Sequence, residues 1–154
     1  MADYDRLKKQ IEGDILNSSF DRGRYATDAS IYQIMPQAVM VPKTWQDVEA
    51  ALDFAKTEGI SLLPRGGGTS QSGQTVNDAL VINFTKHLNK ILDYDADAGT
   101  VTVQPGLVLD NLNRQLKSDG WWYPVDVSTA SRATLGGMAA NNSCGSRSIR
   151  YGKM

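Results

Sequence analysis

The run Pro64-Arg65-Gly66-Gly67-Gly68-Thr69-Ser70-Gln71-Ser72-Gly73-Gln74-Thr75 packs four glycines among hydroxyl and amide side chains, directly after the apolar stretch Ile60-Ser61-Leu62-Leu63. Backbone with so little side-chain bulk can bring its N–H groups close to another body, and phosphate chemistry is what such N–H groups serve best. Arg65 at its head pairs with either a phosphate or a buried carboxylate, and the residue types leave both open.

Three phosphate-binding patterns compete with a plain turn between strands. The dinucleotide fingerprint G-x-G-x-x-G begins at Gly66 and Gly68 but meets Gln71 where its third glycine belongs, and no helical pattern follows. The P-loop pattern fits Gly68 to Thr75 except that Gln74 stands in place of the lysine that reaches the outer phosphates. A neutral amide supplies no such charge, so nucleotide triphosphate hydrolysis is disfavoured. The remaining pattern is a nest, in which consecutive N–H groups between Gly66 and Ser70 converge on a diphosphate without a lysine.

A second cluster, Ala133-Thr134-Leu135-Gly136-Gly137-Met138-Ala139-Ala140-Asn141-Asn142-Ser143-Cys144-Gly145, is dominated by small residues. Close approach to a flat ring system and tight helix packing are both served by it, and the segment alone does not separate them. Of the chain's 14 glycines, Gly66, Gly67, Gly68 and Gly73 fall in one window and Gly136, Gly137, Gly145 and Gly152 in the other. Two such windows, each following an apolar segment, favour one extended ligand held at both ends.

The elements that must position these clusters are legible in part. Tyr4, Leu7, Ile11 and Ile15 predict an amphipathic helix over Asp3 to Leu16, followed by a loop over Asn17 to Ser30. Ala38 to Val41 reads as a strand, and Thr44 with Asp47 opens a helix with Val48, Leu52 and Ala55 inward and Gly59 as its stop. Ile60 to Leu63 and Ala79 to Ile82 read as further strands, and Ile91–Tyr94 with Thr100–Val103 as a hairpin around Gly99. Leu109, Leu112 and Leu116 mark a helix ended by Gly120, and Trp121-Trp122-Tyr123 reads as a brief strand. Beyond residue 125 little periodicity is visible. Alternating elements with a hairpin predict an α+β fold.

Bulk properties narrow the function. At 154 residues, with 41% hydrophobic content, the chain can bury a real core. Its 16 basic and 17 acidic side chains leave a net charge of −1, which argues against a nucleic-acid binder. Arg6-Leu7-Lys8-Lys9, the one local basic cluster, reads as a solvated helix face. A single cysteine, Cys144, excludes an intrachain disulfide, and the charged N-terminus carries no secretory signal, so a cytoplasmic location is expected. Attachment at the periphery of the inner membrane stays open. His87, the one histidine, reads as a surface residue between strands, and no metal-site or Cys–His spacing exists. Cys144 reads as a small residue packed in its cluster, and Trp121, Trp122 and Tyr123 as core or edge packing.

Four motifs in order carry a resemblance: Arg65-Gly66-Gly67-Gly68-Thr69 with Gly73, then Val103-Gln104-Pro105-Gly106, then Arg132 to Met138, then Ser148-Ile149-Arg150-Tyr151-Gly152-Lys153. Together they resemble the FAD-binding domain of FAD-linked oxidases of the vanillyl-alcohol-oxidase and p-cresol-methylhydroxylase type. Within that superfamily the chain is most similar to the glycolate, D-lactate and D-2-hydroxyglutarate dehydrogenase branch, over the span from about Tyr25 onward.

The resemblance implies an FAD-binding fold of two α+β subdomains, read as residues 31–94 and the beginning of a second over 95–154, after an N-terminal helix and loop over 1–30. It implies that Gly66, Gly67, Gly68, Thr69 and Ser70 cradle the FAD diphosphate. Asp126, Ser128, Thr134, Gly136, Gly137, Asn141, Ser143, Gly145 and Tyr151 would lie along the cofactor, with Arg65, Gly73, Pro105 and Gly106 also in its site. The family's Pro-Pro-Asp-Pro-Ser stretch is Pro124-Val125-Asp126-Val127-Ser128 here, which loosens that loop. Relatives that bind flavin covalently through this loop have histidine where Thr69 stands, so non-covalent FAD is implied.

In relatives a 2-hydroxy acid passes hydride to the flavin while a base outside this region takes the hydroxyl proton. The resemblance therefore implies a fragment without a catalytic residue of its own, followed elsewhere by an EGTLG-like motif, a substrate domain and, in some members, an iron–sulfur portion. The electron acceptor is left unidentified. A non-catalytic nucleotide or phosphate-binding module, and a ligand-free structural domain, are the competing readings.

Overall fold

The computed structural model describes residues 2–154. Strands β1 (Asp14–Leu16), β2 (Ala38–Val41), β3 (Leu62–Arg65) and β4 (Leu80–Asn83) form one sheet in the order β1-β2-β4-β3. β4 runs parallel to both β2 and β3, and β1 is antiparallel to β2 at the edge. The strand–helix–strand unit is thus a crossover that leaves room for a third strand, and Leu80, Val81 and Ile82 fill that central place fully buried. Continuous apolar runs in β2 and β4 suit strands covered on both faces.

Helix α1 (Tyr4–Lys8) precedes β1, α2 (Ser19–Gly23) lies between β1 and β2, and α3 (Trp45–Glu58) makes the crossover. Thr44 and Asp47 close a reciprocal capping box on α3, and Gly59 ends it in the left-handed region at φ 66°. Its buried face is Asp47, Ala51, Phe54 and Ala55, while Leu52, expected inward, is 54% exposed. Phe54 packs on Tyr4 at 5.7 Å between ring centroids, joining α1 to the core of Leu7, Met40, Leu80 and Ile82.

The helix predicted over residues 3–16 stops at Lys8. Ile15 instead enters β1, paired with Met40, because Gly13 passes so close to the Val41 carbonyl that no Cβ fits there. The Glu12 and Gly13 amides are taken by the Asp47 carboxylate at 2.9 and 3.1 Å. The basic cluster behaves as expected, with Arg6, Lys8 and Lys9 exposed around a buried Leu7. The expected loop after residue 17 contains α2, capped by Ser18, whose hydroxyl accepts from the Asp21 amide.

A second core, of Leu107, Leu109, Leu112, Leu116, Val125, Leu135 and Met138, lies under the hairpin β5 (Ile91–Asp95) and β6 (Thr100–Val103). Ile91, Tyr94, Val101 and Val103 pack against it. Helix α4 (Leu109–Leu116) runs into a 3-10 turn over Lys117–Asp119, and Gly120 follows at φ 77°. Residues 121–123 are not a strand: the Trp121 indole donates to the Ala96 carbonyl and the Tyr123 amide to Asn113 Oδ1, so side chains rather than a ladder hold this stretch. Trp121 and Trp122 stay largely exposed instead of packing inward, and Trp122 meets Tyr151 edge-on at 5.6 Å. Short helices α5 (Leu135–Ala140) and α6 (Ser148–Tyr151) complete the chain. Among the described residues a mixed sheet, a separate hairpin and six α-helices make the fold α+β. Among them no helix is long and apolar enough to cross a membrane.

Candidate functional site

The two glycine clusters meet. A Cβ on Gly66 would fall on the Thr134 hydroxyl, and one on Gly67 on the Arg132 carbonyl. Thr134 is buried, caps α5 by accepting from the Gly137 amide, and bridges to Val108. Gly136 donates its amide to the Pro105 carbonyl at 2.9 Å with no room for a side chain over that proline. Gly106 in turn donates to the Leu88 carbonyl at 2.8 Å and lies against the Phe84 carbonyl. Gly66, Gly67 and Gly106 therefore stand where segments from the two halves of the chain cross, and Gly136 where α5 meets Pro105 within the second half. Much of the small-residue character expected to make room for a ligand makes room for the opposite half of the chain.

A cleft of about 310 Å³ opens along this seam. Gly66 to Gln71 form one wall, and Val127 to Thr129 with α5, Ser143 and Cys144 form the other. Across the Gly66–Thr134 contact a second lobe of about 360 Å³ is lined by Trp45, Leu63, Pro64, Phe84, Pro105 and Ala140. Gly66, Gln74, Thr75, Thr134, Gly137 and Asn141 border both lobes. The two lobes lie side by side along the seam, the first with the more polar lining and the second with the more apolar one.

Among the described residues, none of the six consecutive backbone N–H groups from Gly66 to Gln71 donates to an acceptor within the chain. Unsatisfied amides in a row are the donor set that an anionic group with several oxygens requires. The loop's return is closed by Ser70, whose hydroxyl accepts from the Ser72 and Gln74 amides at 3.2 and 3.3 Å and donates to Gln74 Oε1. Gly68 and Gly73 both adopt positive φ, at 66° and 71°.

Behind the loop, Arg65 is buried and donates to the carbonyls of Tyr25, Thr27 and Thr75 at 3.0, 2.7 and 2.9 Å. Among the described residues it makes no hydrogen bond to a carboxylate. Burial pulls its pKa below the usual value, opposed by Asp28 and Tyr25 nearby. Burial pushes the Asp28 carboxyl up, but hydrogen bonds from Ser30 and Thr75 outweigh it and hold the group below the usual carboxylate value.

Of the residues singled out from sequence, Gly66, Gly67, Gly68, Thr69, Ser70, Ser128, Thr134, Gly137, Asn141 and Ser143 line the first lobe. Arg65, Pro105 and Gly136 border the second. Gly73, Gly106, Asp126, Gly145 and Tyr151 line neither lobe. Gly73 lies under the Tyr32 ring, and Gly145 against the Asp126 carbonyl. The Asp126 carboxylate accepts from the Arg147 amide and the Ser146 hydroxyl, bonds that hold its pKa low. Cys144 is exposed and borders the cleft. His87 is half-buried, its Nε2 is shielded and has no hydrogen-bond partner among the described residues, and it borders neither lobe. Sequence reasoning did not single out Thr75, Thr129, Met138, Trp45 or Phe84. Thr75 sits inside the glycine-rich run and was within reach of motif reading. Trp45 and Phe84 come from separate elements and meet at 6.5 Å only on folding.

The family described as FAD binding domain matches residues 36–154. D-2-hydroxyglutarate dehydrogenase of Haemophilus influenzae is 40% identical over 158 residues, covering 99% of this chain and 15% of that protein. The glycolate oxidase subunit GlcD of Bacillus subtilis is 37% identical over 139 residues, covering 88% of this chain and 29% of that one. The chain thus spans less than a third of either relative. Among solved structures, alkyldihydroxyacetonephosphate synthase superposes with a TM-score of 0.86 at 23% identity, over 97% of this chain and 30% of that one. Physcomitrella patens BBE-like 1 gives 0.80 at 21%, over 97% of this chain and 33% of that one, and these two likenesses speak for the fold. With motifs and relatives in agreement, the chain belongs to the FAD binding domain family.

Proposed function

We propose that this chain holds the cofactor of a D-2-hydroxy-acid dehydrogenase, with non-covalent FAD lying along the groove between the two cores. The observation that carries the reading is the row of six unpartnered amides, Gly66 to Gln71, on one wall of a lobe whose neighbour is more apolar. These amides, with the Thr69 and Ser70 hydroxyls, suit a diphosphate; the Trp45–Phe84 lobe suits an aromatic ring at one end of the same ligand. A module for phosphate alone would leave that apolar lobe without a use.

Bound FAD would supply the hydride acceptor, while the protein supplies position and exclusion of water. Gly66 and Thr134, in contact across the seam, set the separation of the two walls, and Ser128, Asn141 and Ser143 offer hydrogen bonds along the far wall. The substrate's base and its carboxylate-binding group are assigned to other parts of the complete enzyme. Likeness to the Haemophilus and Bacillus proteins favours D-2-hydroxyglutarate or glycolate as substrate class, and a cytoplasmic site of action. The test is a titration of the complete gene product. Flavin absorbance should bleach on adding a D-2-hydroxy acid under anaerobic conditions. A protein that takes up no FAD sinks the reading, and one that takes up FAD but reduces it with none of these acids sinks the substrate assignment.

A further inference from the structure

We propose that Arg65 is the positioning residue of the diphosphate cradle: bound to three backbone carbonyls directly behind Gly68, it aims the loop's free amides and does not itself touch phosphate. The inference rests on the FAD reading above.

The guanidinium sits at the crossing of three chain segments. Nη1 donates to Tyr25 O and Thr75 O, Nη2 donates to Thr27 O, and the Tyr25 ring stacks at 5.4 Å from the guanidinium carbon. A Cβ on Gly68 would come within 2.8 Å of Nη2, so the cation lies immediately under the left-handed residue at the centre of the free-amide row. The Ala29 amide donates to Gly68 O at 3.1 Å from the same side. Asp28 completes the clasp, accepting from both the amide and the hydroxyl of Thr75 at 3.3 and 2.9 Å. Segments 25–29, 65–68 and 75 are therefore one hydrogen-bonded unit, and Arg65 is its hub.

Two consequences follow from that geometry. Three of the five guanidinium N–H groups of Arg65 are directed at carbonyls, which fixes the plane of the fork and leaves Nε–H and one Nη2–H uncommitted. Its positive charge, permanent at any working pH, faces the loop that would hold two negative charges. A lysine at this position keeps the charge but has no rigid fork to span carbonyls at three places.

Binding of FAD, ADP and riboflavin to the complete gene product and to R65K tests this. Charge-assisted hydrogen bonds of this kind translate into about a tenfold loss or more when broken. R65K should therefore weaken FAD and ADP at least tenfold and leave riboflavin, which has no phosphate, within about twofold. Equal weakening of riboflavin would show a general loss of structure, and unchanged FAD affinity would show that the fork is dispensable; either overturns the proposal. D28N separates positioning from direct phosphate contact. Removing a negative charge beside an anionic ligand should tighten binding if Arg65 grips phosphate directly, whereas a broken clasp should weaken FAD and ADP. Tighter or unchanged binding in D28N overturns the proposal. Wild-type protein that binds neither FAD nor ADP defeats the FAD reading itself, whereas wild-type binding with an equally tight R65K defeats only this inference.

Discussion

Gly66 and Thr134 come from opposite halves of the chain and touch so closely that a Cβ on the glycine would coincide with the threonine hydroxyl. The contact lies between the two lobes, and both are bordered by these two residues. Its closeness also means that the width of the site is set by protein–protein contact before any ligand binds.

Gly66→Ala should push the two walls apart. Overpacking of this kind costs about 1–3 kcal/mol, and FAD binding should fall with it. Thr134→Ala alone should cost about 1 kcal/mol through the lost cap of α5. The double variant should recover part of the FAD affinity lost in G66A, because truncation removes both the hydroxyl and the methyl that the new Cβ meets. Isothermal titration of all three variants checks this; strictly additive losses would contradict it.

Asp47 should be the most sensitive carboxylate for stability. Buried at the start of α3, it accepts from the amides of Glu12, Gly13, Lys43 and Thr44. Asp47→Ala leaves these donors without their anion and should cost about 2–4 kcal/mol. Urea denaturation measures it, and a loss below about 1 kcal/mol would show the amides finding other partners.

Acid should unfold the protein through Asp47 and Asp28. For both, burial raises the pKa, yet hydrogen bonds outweigh it and set the folded value below the ordinary 3.8. A carboxyl depressed on folding contributes stability that is complete above its unfolded pKa and is lost as pH falls through the folded one. Thermal melts should therefore be flat near neutrality and drop steeply below about pH 4. D47N should flatten that drop. An unchanged acid limb in D47N would assign it to other groups.

Glycine substitutions should divide by what surrounds each Cα. Gly106→Ala drives a methyl into the carbonyls of Phe84 and Leu88 and should destabilise by about 3 kcal/mol. Gly23→Ala, at the end of α2 with nothing within 4 Å of the new Cβ, should be neutral or stabilising by about 0.5 kcal/mol. Melting temperatures of the two variants give the comparison directly, and similar shifts would refute it.

Flavin should leave with the solvent when the holoprotein is precipitated with acid, since Thr69 offers no nitrogen for a bond to the ring. Yellow colour retained by the washed pellet would contradict non-covalent binding.

Local signals in the chain accounted for α3, its capping box, the hairpin, α4 and the strands β2 and β4, because each has its period, cap or turn residue within a few positions. The N-terminal helix was misjudged for a physical reason. Ile11 and Ile15 keep a helical spacing from Leu7, yet Glu12 and Gly13 give their amides to Asp47, and the edge of β2 accepts Ile15 as a strand partner. Long-range hydrogen bonds outweighed local propensity there. α5 escaped notice because Leu135-Gly136-Gly137-Met138-Ala139-Ala140 has two glycines in its first turn and too few apolar residues to show a period.

The amino-acid sequence by itself determined that two side-chain-poor segments exist, that each follows an apolar segment, and that their motifs match FAD-binding chains, since motif chemistry is a property of consecutive residues. Only tertiary structure decided what each glycine is for. Gly66, Gly67, Gly106 and Gly136 yield their side-chain space to backbone or side chains from elsewhere in the chain, and Arg65 donates to three backbone carbonyls. Close approach between distant segments is set by how two cores dock, and no local pattern of residues encodes that distance.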